Sequence, residues 1–173
     1  MLSKLCRVIY NAIRLMGRKS YGRLLCISAD TKVEVSRRGR LTVGKTFRTR
    51  RNVELLVRGN AALEIGDNVF FNSGCILTAR ERISVGSGTI FGPGVMVFDN
   101  DHAMRGGRVC DNEFVTAPVT IGKNVWVGAG AIILKGAVLE DDCVVAAGSV
   151  VKGHVKSGTI FVQKRQGSTI EMN

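Results

Sequence analysis

From Ile121 to Val162 the chain places a large aliphatic residue at nearly every sixth position. The leading residues of these six-residue units are Ile121, Val127, Ile133, Leu139, Val145 and Val151. A small residue stands two positions before each later lead, at Val125, Ala131, Ala137, Cys143, Ser149 and Val155. A helix would repeat apolar residues every 3.6 positions and a half-buried strand every second one, so neither template fits. The period of six predicts a solenoid of short parallel strands, with three units in each triangular coil.

The same phase continues backwards along the chain, although less regularly. The earlier leads fall into three groups, which are Val85, Phe91 and Val97, then Ile65, Phe71 and Leu77, then Val43, Thr49 and Leu55. Residues 99–118 break the repeat with a polar segment that ends in a proline, and they predict a loop inserted into the solenoid. Function is expected in that loop, because regular coils only need to stack. We therefore predict a basic N-terminal segment with a capping coil at 1–40, the solenoid at 41–162 and a tail at 163–173.

The net charge of +11 comes from the first third of the chain. Residues 1–58 contain 15 Lys and Arg against three acids, whereas the other 115 residues contain 10 against 11. Within 2–18, apolar residues recur at helical spacing among basic ones, at Leu5, Ile9, Ala12, Ile13 and Met16. This pattern predicts a short amphipathic helix, which either caps the solenoid or lies on an anionic membrane surface. Nucleic-acid binding is not expected, because the basic third lacks interleaved aromatic residues.

Cysteine usage and hydropathy point to a cytoplasmic protein, peripheral on the inner membrane face where the N-terminal segment meets anionic lipid. The five cysteines (6, 26, 75, 110 and 143) are an odd number without CxxC spacing, which indicates neither a disulfide framework nor a zinc site. No apolar run approaches the roughly 20 residues of a membrane span. The N-terminus lacks the apolar core and cleavage site of a signal peptide. No cluster of ligands predicts a bound metal.

The inserted segment contains His102, one of two histidines in the chain. A neutral imidazole is the side chain best suited to accept a proton at cellular pH. Asp99 and Asp101 flank it, and either could fix the tautomer of the ring or contact a substrate. His154 stands at an outward position of the repeat, where a solvated side chain is expected.

The repeat, the segment APVTIGKNVWVGAGAIILKGAVL and the following VVAAGSVV resemble the hexapeptide-repeat acyltransferases. The resemblance covers about residues 40–162 and is closest to the branch of maltose, galactoside and polysaccharide O-acetyltransferases. It implies an all-β fold, a left-handed parallel β-helix with an extruded active-site loop. It also implies a homotrimer with active sites between subunits and acetyl-CoA as donor. The catalytic histidine of the family precedes the loop proline by the same spacing that separates His102 from Pro118.

The same resemblance implies roles for further residues. Asn72 matches the acceptor-site asparagine, Ala129 and Ala147 match positions along the donor groove, and Trp126 would form a wall of that groove. Basic residues bind the CoA phosphates in the family, which implies Lys152, Lys164 and Arg165 here. The chain departs from the family pattern after the last coil, where FVQKRQG lacks the usual proline.

These features predict an acetyl-CoA-dependent O-acetyltransferase that acts on a sugar hydroxyl in surface polysaccharide biosynthesis, with His102 as general base. The alternatives are an N-acetyltransferase of an amino sugar and a non-catalytic β-helix that organises an assembly. A metal-dependent hydratase shares the implied fold, but the two histidines lie on unrelated segments.

Overall fold

The computed structural model describes residues 19–21, by their backbone, and residues 26–164. Every regular element in these ranges is a β-strand. The predicted amphipathic helix at 2–18 lies outside the described residues, as do most of the tail and Arg165. No helix of the described ranges is long and apolar enough to cross a membrane.

Three parallel sheets form the three faces of a prism. Face one contains β2 (Lys32–Val35), β5 (Glu54–Val57), β8 (Ile76–Ala79), β11 (Met96–Phe98), β16 (Ile132–Ile133) and β19 (Val150–Val151). Face two contains β1 (Lys19–Tyr21), β3 (Arg40–Val43), β6 (Ala62–Ile65), β9 (Arg82–Val85), β14 (Val119–Ile121), β17 (Val138–Leu139) and β20 (His154–Val155). Face three contains β4 (Arg48–Thr49), β7 (Phe70–Phe71), β10 (Ile90–Phe91), β15 (Trp126–Val127), β18 (Val144–Val145) and β21 (Ile160–Phe161). The chain visits the faces in this order, so each circuit adds one strand to every sheet.

The coils shorten from the bottom of the prism to the top. Equivalent positions of the lower coils are 22 residues apart, as in the hydrogen bond between Lys45 and Asp67. The next coil is shorter. The residue equivalent to Asp67 on the coil above is Ser87, which accepts the Asp67 N–H and lies only 20 residues further along the chain. Higher in the stack the spacing is 18 residues, as between Lys123 and Asp141. Only these upper coils have the length that three exact six-residue units require.

The final coil is shorter still. Leu139 pairs with Val155, which makes this coil two residues shorter than the coils just below it. The predicted period of six therefore ends after Val151. Gly153, at φ 117°, allows the shortened corner, because this backbone conformation is rarely open to other residues.

The interior consists of the predicted leads and the small residues between them. The leads from Val43 to Val151 are buried, and the small residues Ala131, Ala137 and Cys143 are fully inaccessible. On face three the leads Phe71 and Phe91 stack with ring centroids 4.3 Å apart. Burial raises the pKa of the Cys75 thiol to about 11, as expected for a cysteine that only fills space. The fold class predicted from the sequence, a parallel β-helix of hexapeptide repeats, is confirmed.

The inserted segment is an antiparallel hairpin rather than an irregular loop. Its strands are β12 (Asn100–Arg105) and β13 (Arg108–Thr116), joined by Gly106 and Gly107, which both have positive φ. Two glycines with positive φ form the tight turn that suits the twist of paired strands. The hairpin leaves β11 and returns to β14, so the interval from Val85 to Ile121 is a single coil with an insertion.

Regular coils begin before the predicted boundary at residue 41. Strand β2 already belongs to face one at Lys32, and the backbone of β1 pairs with β3. The segment at 1–40 therefore supplies strands to the prism in addition to the predicted capping coil.

The three corners between the faces differ in composition. The hairpin corner joins face one to face two and bears the insertion. The acidic corner joins face two to face three and includes Asp67, Glu140, Asp141 and Asp142. The alanine corner joins face three to face one and includes Ala129, Ala146 and Ala147.

Candidate active site

His102 lies on β12 and its ring is fixed by a backbone carbonyl. The Nδ1 atom lies 3.1 Å from the Cys110 oxygen across the hairpin. A carbonyl oxygen can only accept, so this contact requires the proton on Nδ1 and leaves the Nε2 lone pair of the neutral ring free. The register of the hairpin shifts between His102 and Met104. Such an irregularity turns a side chain to a new direction and commonly adjoins a functional site.

Asp99 has a structural role instead of a contact with His102 or with substrate. Its carboxylate is completely buried and accepts hydrogen bonds from the Arg80 N–H at 2.8 and 3.0 Å and from the Glu81 N–H at 2.8 Å. The Asn100 side-chain amide donates a further bond. A buried carboxylate with these partners anchors the base of the hairpin and is out of reach of a sugar. The expectation that Asp99 contacts the substrate therefore does not fit its position.

Asp101 is exposed, but it also points to a partner other than the imidazole. Its Oδ2 atom lies 3.3 Å from Nζ of Lys135 on the next coil of the prism. The pair ties the hairpin to the body of the molecule. The structure thus assigns the tautomer of His102 to the Cys110 carbonyl, where the sequence suggested one of the two aspartates.

Phe114 separates His102 from Arg80, a half-buried arginine. The rings of His102 and Phe114 lie with centroids 4.6 Å apart, and the Arg80 guanidinium carbon lies 3.3 Å from the Phe114 centroid. Burial lowers the pKa of Arg80, Arg58 nearby lowers it further, and Asp99 acts in the opposite direction. The Arg80 Nε atom is buried without a hydrogen-bond partner among the described residues. The cation–π contact is therefore the interaction that keeps this guanidinium against the hairpin.

The alanine corner presents two unused backbone donors one above the other. Ala129 and Ala147 are exposed and adjacent in the stack, since the Gly148 N–H donates to the Ala129 oxygen at 2.8 Å. Within the described ranges neither the Ala129 nor the Ala147 N–H finds an acceptor. Glycines lie beneath them, and a Cβ on Gly92 or Gly128 would come within 2.6 Å of the amide nitrogen above. Small residues at these positions therefore leave two N–H groups open to a ligand.

Asn72 and Trp126 lie beside this pair of donors. Asn72 occupies the alanine corner two coils below Ala129, and its Oδ1 accepts the Ser73 N–H at 2.9 Å. In the described part of the chain its side-chain amide nitrogen, Nδ2, has no hydrogen-bond partner. Trp126 is 57% exposed on the outer side of face three, immediately before this corner. The roles that the resemblance implies for these two residues stay predictions.

The basic residues expected at the CoA phosphates fall on two different corners. Lys164 is exposed on the coil above Gly148 at the alanine corner, whereas Lys152 is exposed at the hairpin corner. Arg165 lies outside the described residues. Of the two that the structure describes, Lys164 shares a corner with the two open amides of its own chain and Lys152 does not.

The expected site residues thus form two groups within one chain. His102 with its hairpin belongs to one corner, and Asn72, Ala129 and Ala147 belong to the next. A groove of about 370 Å³ on face two, lined by Glu64, Ser84 and Asp141 among others, contains none of these residues. Among the described residues no three His, Cys, Asp or Glu side chains group together as metal ligands.

Sequence reasoning missed Arg80, Phe114, Cys110 and Lys135. The glycine pair at 106–107 signals the hairpin itself, because two glycines between alternating residues indicate a hairpin turn. In the register of that turn His102 would pair with Asp111, and the register shift places Phe114, the only phenylalanine of the segment, across from it instead. The contact with the Cys110 carbonyl depends on the register shift and has no sequence signal.

Known proteins resemble this chain both in sequence and in fold. Residues 118–152 match the family model described as hexapeptide repeat of succinyl-transferase. Nodulation protein L of Rhizobium meliloti is 38% identical over 74 residues, which are 43% of this chain and 40% of that protein. The putative lipopolysaccharide biosynthesis O-acetyl transferase WbbJ of Escherichia coli is 24% identical over 71% of this chain and 67% of its own length. The first relatives are matched over only about two fifths of their length.

The fold is shared with solved structures. A point mutant of AntD, an N-acyltransferase from Bacillus cereus in complex with dTDP and coenzyme A, has a TM-score of 0.76 at 19% identity. The superposition covers 88% of this chain and 84% of that one. The chain therefore contains a hexapeptide-repeat region over residues 118–152, is similar in sequence to named acetyltransferases and shares the fold of a solved acyltransferase.

Proposed function

We propose that the protein is an acetyl-CoA-dependent O-acetyltransferase that acts on a sugar hydroxyl with His102 as general base. The observation that carries this proposal is the tautomer of His102, whose Nδ1 donates to the Cys110 carbonyl and whose Nε2 is free. Nε2 removes the proton of the acceptor hydroxyl while the oxygen attacks the thioester carbonyl. The C–S bond then breaks, and the imidazolium returns the proton to the departing CoA thiolate. The acetyl group passes directly to the acceptor.

The alanine corner supplies the donor site in this proposal. The open N–H groups of Ala129 and Ala147 lie one coil apart, about 5 Å, and can donate to the amide carbonyls of the pantetheine arm. Trp126 covers one side of the arm. Lys164, one coil above Ala147, is placed for the CoA phosphates, for which a fixed positive charge is the natural partner.

The separation of the two groups supports a trimer with shared active sites. A threefold axis parallel to the prism keeps every residue at its own height. His102 projects from the coil that begins after Pro93 and ends at Ala129, so its height lies between these two residues. The hairpin of one subunit then meets the alanine corner of its neighbour just below Ala129, with Asn72 on a lower coil. The same rotation brings Lys152 of one subunit toward the donor groove of the next.

The acceptor is proposed to be a glycan of a surface polysaccharide. Support comes from WbbJ, which is named as an O-acetyl transferase of lipopolysaccharide biosynthesis and aligns over 71% of this chain. Transfer of labelled acetyl groups to free sugars, nucleotide sugars and lipid-linked oligosaccharides identifies the acceptor. Mass spectrometry of the product separates an ester from an amide, and an amide would replace this proposal by the N-acetyltransferase alternative.

We also propose that the protein is cytoplasmic and binds the inner membrane face through its basic first third. Exposed cations of the lower coils, including Arg37 and Arg40, add to those of the N-terminal segment. Clusters of basic residues bind anionic lipid surfaces. Co-sedimentation with liposomes should increase with anionic lipid content and decrease on deletion of residues 1–20. Liposome binding that changes neither with anionic lipid content nor with the deletion would refute the proposed membrane location.

The catalytic role is tested by replacing His102. We expect His102→Ala to reduce kcat by about 10²–10⁴-fold, because positioned general-base catalysis typically contributes that factor. His154→Ala is the matched control. The His154 Nε2 atom lies 2.7 Å from Glu140 Oε1, and this pair belongs neither to the hairpin nor to the alanine corner. Thiol release from acetyl-CoA, with and without acceptor, is the measurement. Equal activities of the two variants would exclude His102 as the base.

A further inference from the structure

Two arginines continue the alanine corner below Asn72. The Arg50 N–H donates to the Phe71 oxygen at 2.9 Å, and the Gly74 N–H donates to the Arg51 oxygen at 2.9 Å. Arg50 therefore stacks directly under Asn72, and Arg51 directly under Ser73. Both arginine side chains are exposed. The line of residues that would bind donor and acceptor thus continues downward into two cations.

Among the residues that the structure describes, no ion pair neutralises these two cations. The described positions of the alanine corner include one carboxylate, Asp30, which lies on the coil below and stacks under Asn52 rather than under either arginine. Asp30 takes part in none of the ion pairs of the described residues. Other arginines of the prism are paired, such as Arg82 with Glu64 at 2.8 Å. The guanidinium groups of the alanine corner are therefore available to a ligand.

Arg48 adds a third cation beside this pair. It lies on face three with its guanidinium carbon 5.2 Å from the Phe70 ring centroid, which fixes its orientation. Within the described ranges none of Arg48, Arg50 and Arg51 forms an ion pair. Three guanidinium groups outside any ion pair make a site suited to a multiply charged anion.

We propose that Arg50 and Arg51 bind the phosphate or diphosphate group of the acceptor. This inference rests on the proposed function and specifies its substrate class as a phosphate-linked sugar, carried on a nucleotide or on a lipid. Guanidinium groups present a planar fork that matches phosphate oxygens. Coils are about 4.8 Å apart, so Arg51 lies between two and three coils, roughly 10–14 Å, below the level of His102. A sugar ring near Asn72 then places its hydroxyl toward the base and its linkage toward the arginines.

The donor does not account for these arginines. The open amides of Ala129 and Ala147 direct the pantetheine arm upward toward Lys164, which lies at the opposite end of the corner from Arg50 and Arg51. Three coils of the alanine corner separate Ala129 from Arg51, and the positions between them are neutral. The alanine corner thus has cations at both of its ends, Lys164 at the top and the two arginines at the bottom. Two separate anions match this arrangement better than a single anion does.

Inorganic pyrophosphate is the probe for this site, titrated by calorimetry into the full chain saturated with CoA. We expect the wild type to bind one pyrophosphate per chain. The double variant Arg50→Gln/Arg51→Gln should bind it with an affinity lower by about ten-fold or more. The matched control is Arg38→Gln/Lys45→Gln, which removes two charges from the other two corners of the same coil and should change affinity less than two-fold. His102→Ala should leave pyrophosphate binding intact while it lowers kcat for acetyl transfer by about 10²–10⁴-fold, which separates this inference from the proposed function.

Displacement experiments identify the source of the anion. If UDP-galactose displaces pyrophosphate and a short polyprenyl diphosphate does not, the acceptor is a nucleotide sugar. If only the polyprenyl diphosphate displaces it, the acceptor is a lipid-linked sugar. Pyrophosphate should compete with the acceptor in the transfer assay. The proposal is overturned if Arg50→Gln/Arg51→Gln binds pyrophosphate like the wild type, or if both double variants lose affinity equally. Loss of binding to anionic vesicles alone, with pyrophosphate affinity unchanged, would also overturn it and make this corner a membrane contact.

Discussion

The acidic corner and the alanine corner have the same turn, yet one is closed and the other is open. At the acidic corner the Lys45 N–H donates to Asp67 Oδ1 at 2.6 Å, and the Lys123 N–H donates to Asp141 Oδ1 at 2.7 Å. In each case the acceptor belongs to the equivalent residue of the next coil. At the alanine corner the residue above Ala129 is Ala147, whose methyl group accepts nothing. One side chain on the neighbouring coil therefore decides whether the N–H group of a turn is bonded within the stack or stays open to a ligand.

Of the changes at these two corners, the largest effect is expected from closing the open one. In Ala147→Asp the new carboxylate should accept the Ala129 N–H, as Asp141 accepts that of Lys123, and its charge should repel the anionic donor. We expect the KM for acetyl-CoA to increase roughly 10- to 100-fold, which corresponds to loss of a hydrogen bond with a charge effect added. Initial rates at varied acetyl-CoA give the value.

Ala147→Gly is the matched control for this change, because it leaves the amide open. Its KM should stay within a few-fold of the wild type. A normal KM for Ala147→Asp would show that the donor does not use the Ala129 N–H.

A methyl group added beneath either corner should separate stability from binding. The Cβ of Gly128→Ala would lie 2.5 Å from the Ala147 nitrogen, and that of Gly122→Ala 2.6 Å from the Asp141 nitrogen. Both clash with backbone, so each should cost about 1–3 kcal/mol of the free energy of unfolding. Only Gly128→Ala should also raise the KM for acetyl-CoA, since only that amide faces the donor. Thermal unfolding and kinetics of both variants test this, and an equal rise in KM would remove the distinction.

Opening the closed corner should affect stability alone. Asp141→Ala removes the acceptor of the Lys123 N–H, a loss of about 1 kcal/mol for an exposed backbone donor. For a chain of this size that corresponds to a decrease in Tm of about 2–4 °C. The kcat and the KM should not change. A decrease in activity at unchanged Tm would contradict the structural role given to this corner.

The smallest effect should be a pH dependence at the acidic corner. The Ser157 N–H, which donates at 2.8 Å, and then His154 hold the pKa of Glu140 below its usual value. A lowered pKa in the folded state means that this carboxylate contributes stability above the ordinary pKa of glutamate. That contribution is lost as the pH decreases through the folded-state pKa. The Tm difference between wild type and Glu140→Gln should therefore be present at pH 7 and disappear toward pH 3. A difference independent of pH would exclude this origin.

Much of the prism could be predicted from the sequence because its rule is local and repeated. An aliphatic lead such as Val127 faces inward in every coil, and the glycine after Val85 is required where the next coil approaches within contact distance. The family resemblance then placed His102, Asn72 and Ala129 at positions that the structure makes accessible. Their catalytic and binding roles stay predictions.

The remaining features depend on contacts between distant segments. The partner of His102 is a carbonyl selected by a register shift, and no residue type signals a carbonyl. The aspartates next to His102 in sequence were the natural choice. Asp101 is instead directed elsewhere by alternation along β12, and Asp99 is bound by the backbone N–H groups of Arg80 and Glu81. The short final coil was not predicted from the sequence. The corner at Gly153 is shorter than the corners below it, but the residues around it still fit the period of six.

The decrease in coil length has a consequence for how ligands reach the site. The coils are longest around Val33 and shortest above Leu139, so the body tapers like a wedge. In the proposed trimer three such wedges meet along their broad ends and diverge toward their narrow ends. The crevice beside Ala147 then widens upward, which gives a long thioester an entrance of its own. An acceptor would approach from the opposite, broad end, so neither substrate obstructs the other.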